Sequence, residues 1–434
     1  MFKSLVIVLS SLLLLSACVE TQEQIEIVQP LPVKGTAEYQ ELINPSGSMA
    51  ENITKVNTIY EITSNLLAER NLEEAKYLAE NQLKISLLIE YKRGEGLAYN
   101  TLAIVSRRRG DTKSALENQL KAYSIWELTN DVIGTAKSSI NLGNLYRDNS
   151  LFSDAVSYYK QAIQILKEND GELRLIRVAT ANLAEAYELE KDYSMAESLY
   201  KEALDLAVSE SNQLAINSLY NDLGLTYMYK GDLELAKTYF LRYLELSISS
   251  DNEYAVGIAY NNLGLVSSKL NDLDQAKSYL NKAIDLTTDP VPLARALQNL
   301  SDVHLKENEL NKSLTALLKA EGYNSELGVQ EVSVSTTEEL ANVYEKLGNT
   351  AQALKYRKLL DEQQRQLKDT EHKLVLQAAK DFKEVEVRYA SFTSSLLVDA
   401  MQSKYFGYFI AALFLVLAVF VTSFYSSVYK MWRA

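Results

Sequence analysis

The chain has 434 residues, enough for several domains or one long repeat array, and its 47 % hydrophobic and 23 % charged residues are a globular balance. A formal charge of −13 argues against nucleic-acid binding, which needs basic patches to displace counterions from phosphates. Two histidines (His304 and His372) and one cysteine, Cys18, exclude an intramolecular disulfide and a Cys/His zinc cluster.

At the N-terminus, Lys3 precedes an apolar run from Leu5 to Leu15, followed by Leu15-Ser16-Ala17-Cys18. A positive start, a short apolar core and small residues before a cut site describe an export signal over 1–17. The Leu-Ser-Ala-Cys tetrad resembles a bacterial lipobox, and the resemblance implies that Cys18 becomes the acylated first residue of the mature chain. Residues 18–50, which hold Pro30, Pro32 and Pro45, are expected to form an extended linker.

From about residue 51 to 360 one phrase recurs: Asn141-Leu-Gly143, Asn182-Leu-Ala184, Asp222-Leu-Gly224 and Asn262-Leu-Gly264. Twelve residues after each small residue comes an alanine (Ala155, Ala196, Ala236, Ala276), and four later a ring or leucine (Tyr159, Tyr200, Phe240, Leu280). Turn pairs such as Gly110-Asp111, Gly231-Asp232, Asn271-Asp272 and Gly348-Asn349 fall where two helices need a break. Copies beginning near 56, 96, 136, 177, 217, 257, 294 and 334 step by about 40 residues, with one short step at Pro290-Val-Pro292, read as a tight loop. This pattern resembles the tetratricopeptide repeat (TPR) in a long-repeat form. The resemblance implies an all-α fold: a TPR-type α-solenoid, a right-handed superhelix of about eight helix pairs.

Such a solenoid is expected to bind partners along a concave face lined by the first helix of each pair. By register, the candidate groove residues are Asn100, Arg107, Arg108, Asn144, Arg147, Glu185, Glu188, Asn221, Tyr229 and Asn261. Arg107 and Arg108 can grip a carboxylate bidentately, the alternative being a solvated helix end. The family's clamp for C-terminal carboxylates is incomplete, because Ile140 stands where it needs a lysine.

Residues 361–404 read as a charged amphipathic helix with a stripe of Phe382, Val385, Tyr389, Phe392 and Leu396, suited to a partner helix or coiled coil. Residues 405–429 carry no charge and are long enough for a transmembrane helix, with Tyr405, Tyr408, Tyr425 and Trp432 at its borders. Lys430 and Arg433 then assign the short tail 430–434 to the cytoplasm and the body to the periplasm, anchored in the inner membrane; the outer membrane is the alternative. The layout resembles the sensory half of tetratricopeptide histidine kinases and diguanylate cyclases. No phosphate loop, metal-ligand cluster or nucleophile motif occurs, so the expectation is a non-enzymatic scaffold without a cofactor that binds other proteins. The alternative is a sensory subunit acting on a separate signalling enzyme.

Overall fold

The computed structural model describes residues 36–45, 47–327, 330–366, 377–378, 380–385 and 389, and these are helices joined by short turns with no strand among the described residues. A short helix α1 (Ala37–Ile43) precedes a succession of helix pairs. The pairs are α2 (Met49–Ala68) with α3 (Leu72–Leu88), α4 (Lys92–Arg108) with α5 (Thr112–Thr129), α6 (Val132–Asp148) with α7 (Phe152–Glu168), and α8 (Leu173–Leu189) with α9 (Tyr193–Ser209). They continue as α10 (Gln213–Lys230) with α11 (Leu233–Ser249), α12 (Glu253–Lys269) with α13 (Leu273–Leu286), α14 (Pro290–Lys306) with α15 (Leu310–Leu327), and α16 (Gln330–Lys346) with α17 (350–366). The expected export signal over 1–17, the acylated Cys18, Phe392 and Leu396 of the stripe, the span 405–429 and the tail 430–434 lie outside the described residues. Among the described residues no helix is long and apolar enough to cross a membrane.

The turns explain how so regular a chain folds. Each turn from α2 to α13 places one residue in the left-handed region, whether glycine (Gly110, Gly231) or not (Arg70, Asn130, Lys191, Asn271). Gly231, at φ 92°, adopts that conformation without the steric cost a side chain would bring. The next residue is commonly an Asn or Asp whose side chain accepts a backbone N–H of the new helix, as Asp111 does from Ser114 and Asp272 from Gln275. At α13 to α14 the pattern changes: Asp289 caps and Pro290 and Pro292 sit in the first turn of α14, where a missing N–H costs nothing. The short step there comes from α13, which has 14 residues where most helices have 17.

Each pair closes through its small residue. Gly143 faces the Tyr159 ring, Gly224 the Phe240 ring and Gly264 the Leu280 side chain; a Cβ at any of them would lie 2.5 Å from a side-chain atom. Tyr159, Phe240 and Leu280 are fully buried. Ser301 and Ser313 make the same approach with a hydrogen bond of 2.7 Å between their hydroxyls.

First helices of neighbouring pairs also approach each other, as α2 does α4, α6 does α8 and α12 does α14, whereas second helices meet mainly the first helices beside them. The side on which helices converge is the inner one, so the first helices line the inner face. Within the stretch read as extended linker, Ala37–Ile43 is helical, because Tyr39, Leu42 and Ile43 bury against Val56, Ile59 and Leu78.

Gly224→Val should destabilise the array by about 2 kcal/mol, since the added atoms meet a buried ring that cannot leave. Urea unfolding followed by circular dichroism measures this, and an unchanged midpoint would show that the ring yields freely.

Candidate functional site

A spacing of 38 to 41 residues places corresponding side chains of successive first helices side by side. The asparagines use it as a ladder. Asn141 Nδ2 donates to Asn100 Oδ1 at 2.9 Å, Asn182 to Asn144 at 3.0 Å, Asn262 to Asn221 at 2.9 Å and Asn299 to Asn261 at 2.9 Å. Asn144 Oδ1 also accepts from the Tyr159 hydroxyl at 2.7 Å. Four of the candidate groove residues, Asn100, Asn144, Asn221 and Asn261, are therefore rungs between repeats.

The arginine run is likewise engaged within the chain. Arg107 Nε reaches Asp148 Oδ2 at 2.7 Å, Arg108 donates to the Leu67 carbonyl, and Arg109 pairs with Glu73 at 2.7 Å. Each bond crosses to a neighbouring repeat, so Arg107 and Arg108 link successive repeats of the array. Arg147 and Glu185, 6 % and 5 % exposed, form a buried ion pair between α6 and α8. Breaking such a pair from one side costs about 3 to 5 kcal/mol.

Between α8 and α10 the inner face is different. Glu188 is 41 residues before Tyr229 and 38 before Thr226, whose hydroxyl donates to Glu188 Oε2 at 2.6 Å. Burial, countered in part by that bond and reinforced by the Glu185 charge, pushes the Glu188 carboxyl up to about 7. Asp222, 6 % exposed, is pushed well above the usual carboxylate range by burial and by Glu188 and Glu185. The Tyr229 hydroxyl, raised by burial and by Glu188, is sealed from solvent without a hydrogen-bond partner, as is Asp222 Oδ2. The Tyr229 ring stacks on Tyr193 at 5.7 Å between centroids. Asp222 is absent from the candidates drawn from sequence. Its signal is an aspartate where other copies of the repeat phrase have Asn141, Asn182 and Asn262.

The described members of the helical stripe pack against the second and third pairs. Phe382 and Val385 are buried in a cluster with Leu116, Leu120, Tyr123 and Tyr146. Phe382 meets Tyr146 edge-on at 4.7 Å, Glu384 pairs with Lys113 at 2.8 Å, and Tyr389 packs against the same cluster. Residues that follow the last pair in sequence thus lie against the second and third pairs.

One group has metal-ligand spacing: donor atoms of His304, Glu307 and Glu309 lie within 4.8 Å of one another. Its members already bond within the protein, His304 to Glu309 and Glu309 to Lys312, each at 2.7 Å, and Glu307 to Lys277 at 2.7 Å.

Glu188 makes stability depend on pH. Folded, it keeps its proton up to about pH 7, while the unfolded chain releases it near 4.5. The contribution of Glu188 to stability is therefore greatest below 4.5 and falls as pH rises to 7, by on the order of 3 kcal/mol. Glu188→Gln should melt higher than the natural chain at pH 8 and close to it at pH 4.5; an equal difference at both pH values would refute the linkage.

A family model described as tetratricopeptide repeat matches residues 94–168, 134–209 and 214–289. No curated protein matches the chain. Among solved structures, aspartyl phosphate phosphatase F from Bacillus subtilis superposes with TM-score 0.54 at 19 % identity, covering 75 % of this chain and 86 % of that one. The apo form of RapI gives 0.52 at 16 % identity over 63 % and 99 %, and the apo quorum sensor NprR from B. thuringiensis 0.50 at 15 % over 79 % and 99 %. At such identities the likeness is one of fold. The repeat phrase, its family match and the paired helices together identify tetratricopeptide repeats over residues 94–289 of this chain.

Proposed function

We propose that the chain is a non-enzymatic protein-binding scaffold on the periplasmic face of a bacterial inner membrane, held by acyl groups on Cys18 and by a span over 405–429. The binding role rests on one observation: among the described residues the first helices of successive pairs follow one another along the inner side of the array, the surface on which a repeat array receives an extended polypeptide. The description of the NprR neighbour as a quorum sensor agrees with a regulatory, ligand-receiving use of this fold. The lipobox and the uncharged run support the membrane location.

The docked segment favours a second reading, a sensory relay. Phe382, Val385 and Glu384 tie the second and third pairs to the stretch that leads into 405–429. A ligand that alters the curvature of the array then changes the strain on that tie.

Photo-crosslinking in intact cells tests the scaffold. A p-benzoylphenylalanine at Asn261, on the inner face, should yield protein adducts that the same group at the exposed Leu241 of α11 does not. Adducts from Leu241 alone would overturn the inner-face assignment. In the same cells an alkyne fatty acid should label the natural chain and leave Cys18→Ser unlabelled; equal labelling would remove the lipid anchor.

A further inference from the structure

We propose that the edge of the array formed by the turns between successive pairs, from α7 to α14, is a second binding surface whose partner is a basic amphipathic helix of another protein. It is separate from the inner face and stands or falls independently of it.

The apolar part of this edge is periodic. Val208, Ile248 and Leu286 lie in the last two residues of the second helices α9, α11 and α13. Leu173, Leu214 and Tyr254 lie in the first two residues of the first helices α8, α10 and α12. All six are between 40 % and 70 % exposed. Single exposed leucines are ordinary on a protein surface, but these recur at one place of the repeat, in steps of 38 to 41 residues.

That spacing makes neighbours of second helices as it does of first helices. Gln161 donates to the Tyr123 hydroxyl at 2.9 Å and Lys237 to Gln275 at 3.4 Å, each across 38 residues. The six side chains therefore follow one another along one edge. The turns that present them are fixed: Asp170, Ser211 and Asp251 take the left-handed conformation, and Asn212 and Asn252 accept the Ala215 and Ala255 N–H at 3.0 and 3.1 Å. A surface already ordered pays little further entropy when a partner arrives.

Charge says what the partner is. Residues 168–173, 208–214, 248–254 and 286–290 contain seven acids and no lysine or arginine. Glu210 is paired with Arg177 at 3.0 Å, whereas Glu168, Asp170, Glu172, Asp251, Glu253 and Asp289 are exposed. Arg174, in the first turn of α8, offsets one of them. A second copy would bring the same acids and a net charge of −13, and an anionic lipid surface would repel them. A helix with one apolar stripe flanked by lysines or arginines supplies both complements, apolar area for the six side chains and positive charge for the acids between them.

The test uses the full chain in phosphatidylcholine nanodiscs, with p-benzoylphenylalanine at Leu214, at Tyr254, or at Leu235 on the opposite edge. The probe is a biotinylated helix of about 18 residues, about 27 Å long, with leucine on one face and lysine on the other. A control peptide carries glutamate in place of lysine. The expected result is at least about fivefold more adduct with the lysine peptide from Leu214 and Tyr254 than from Leu235, with no such excess for the glutamate peptide. The yield at Tyr254 should fall severalfold when Asp251→Asn and Glu253→Gln are combined; both positions are exposed and asparagine suits the left-handed region, so the fold is kept. Equal adducts from both edges, equal yield with the glutamate peptide, or a yield unmoved by neutralisation overturns the surface. An adduct of two copies or of lipid, formed from Leu214 without peptide, assigns the edge to a second copy or to the bilayer and overturns the partner. Adducts from Asn261 in cells with none here strike the edge alone and leave the inner face standing.

Discussion

A first helix meets its second helix through a residue with little or no side chain set against a ring or leucine, and the array is built on that approach. At Gly143, Gly224 and Gly264 no Cβ could be accommodated without moving Tyr159, Phe240 or Leu280. Close approach lets the large side chain fill the space between helices, so each pair buries an apolar seam it could not bury alone. The period of about 40 residues then stacks one seam on the next. A core cluster accordingly runs without interruption from Ala181 on α8 to Val266 on α12.

The same register arranges the polar side chains of the inner face. Positions 38 to 41 apart become neighbours, which turns recurring asparagines into rungs and sets Arg147 against Glu185. Where the register stacks acid near acid, at Glu185, Glu188 and Asp222, a single arginine serves one of the three, and the cost of burial appears as raised carboxyl pKa values. Stability at neutral pH is given up at that place. Phe382, Val385 and Tyr389 add a constraint of another kind, because they pack against the second and third pairs from far along the chain.

The repeats were legible because their signal is a period, and a period survives substitution at any single copy. The turn chemistry was legible too, since left-handed glycines and capping Asp or Asn are local devices. Side-chain partners were not. Arg107 and Arg108 look exposed and available along the sequence, yet their partners Asp148 and the Leu67 carbonyl lie about 40 residues away in opposite directions. The stripe of Phe382, Val385 and Tyr389 announced an apolar face without saying what covers it, because the covering surface is assembled from Leu116, Leu120 and Tyr123 on α5 and Tyr146 on α6, more than 200 residues earlier in the chain. The helix Ala37–Ile43 was hidden for a similar reason: seven residues are too few to form a helix alone, and its three buried side chains hold it.

If the seams between helix pairs carry the fold, disturbing one seam must be felt by its neighbours and fade with distance. Amide hydrogen exchange, resolved helix by helix on the full chain and on Gly143→Val, measures this directly. The predicted result is a large loss of protection in α6 and α7, a smaller loss in α5 and α8, and no change from α12 to α15. Equal loss in every helix, or loss confined to the substituted helix, would contradict the dependence of the array on contacts between successive pairs.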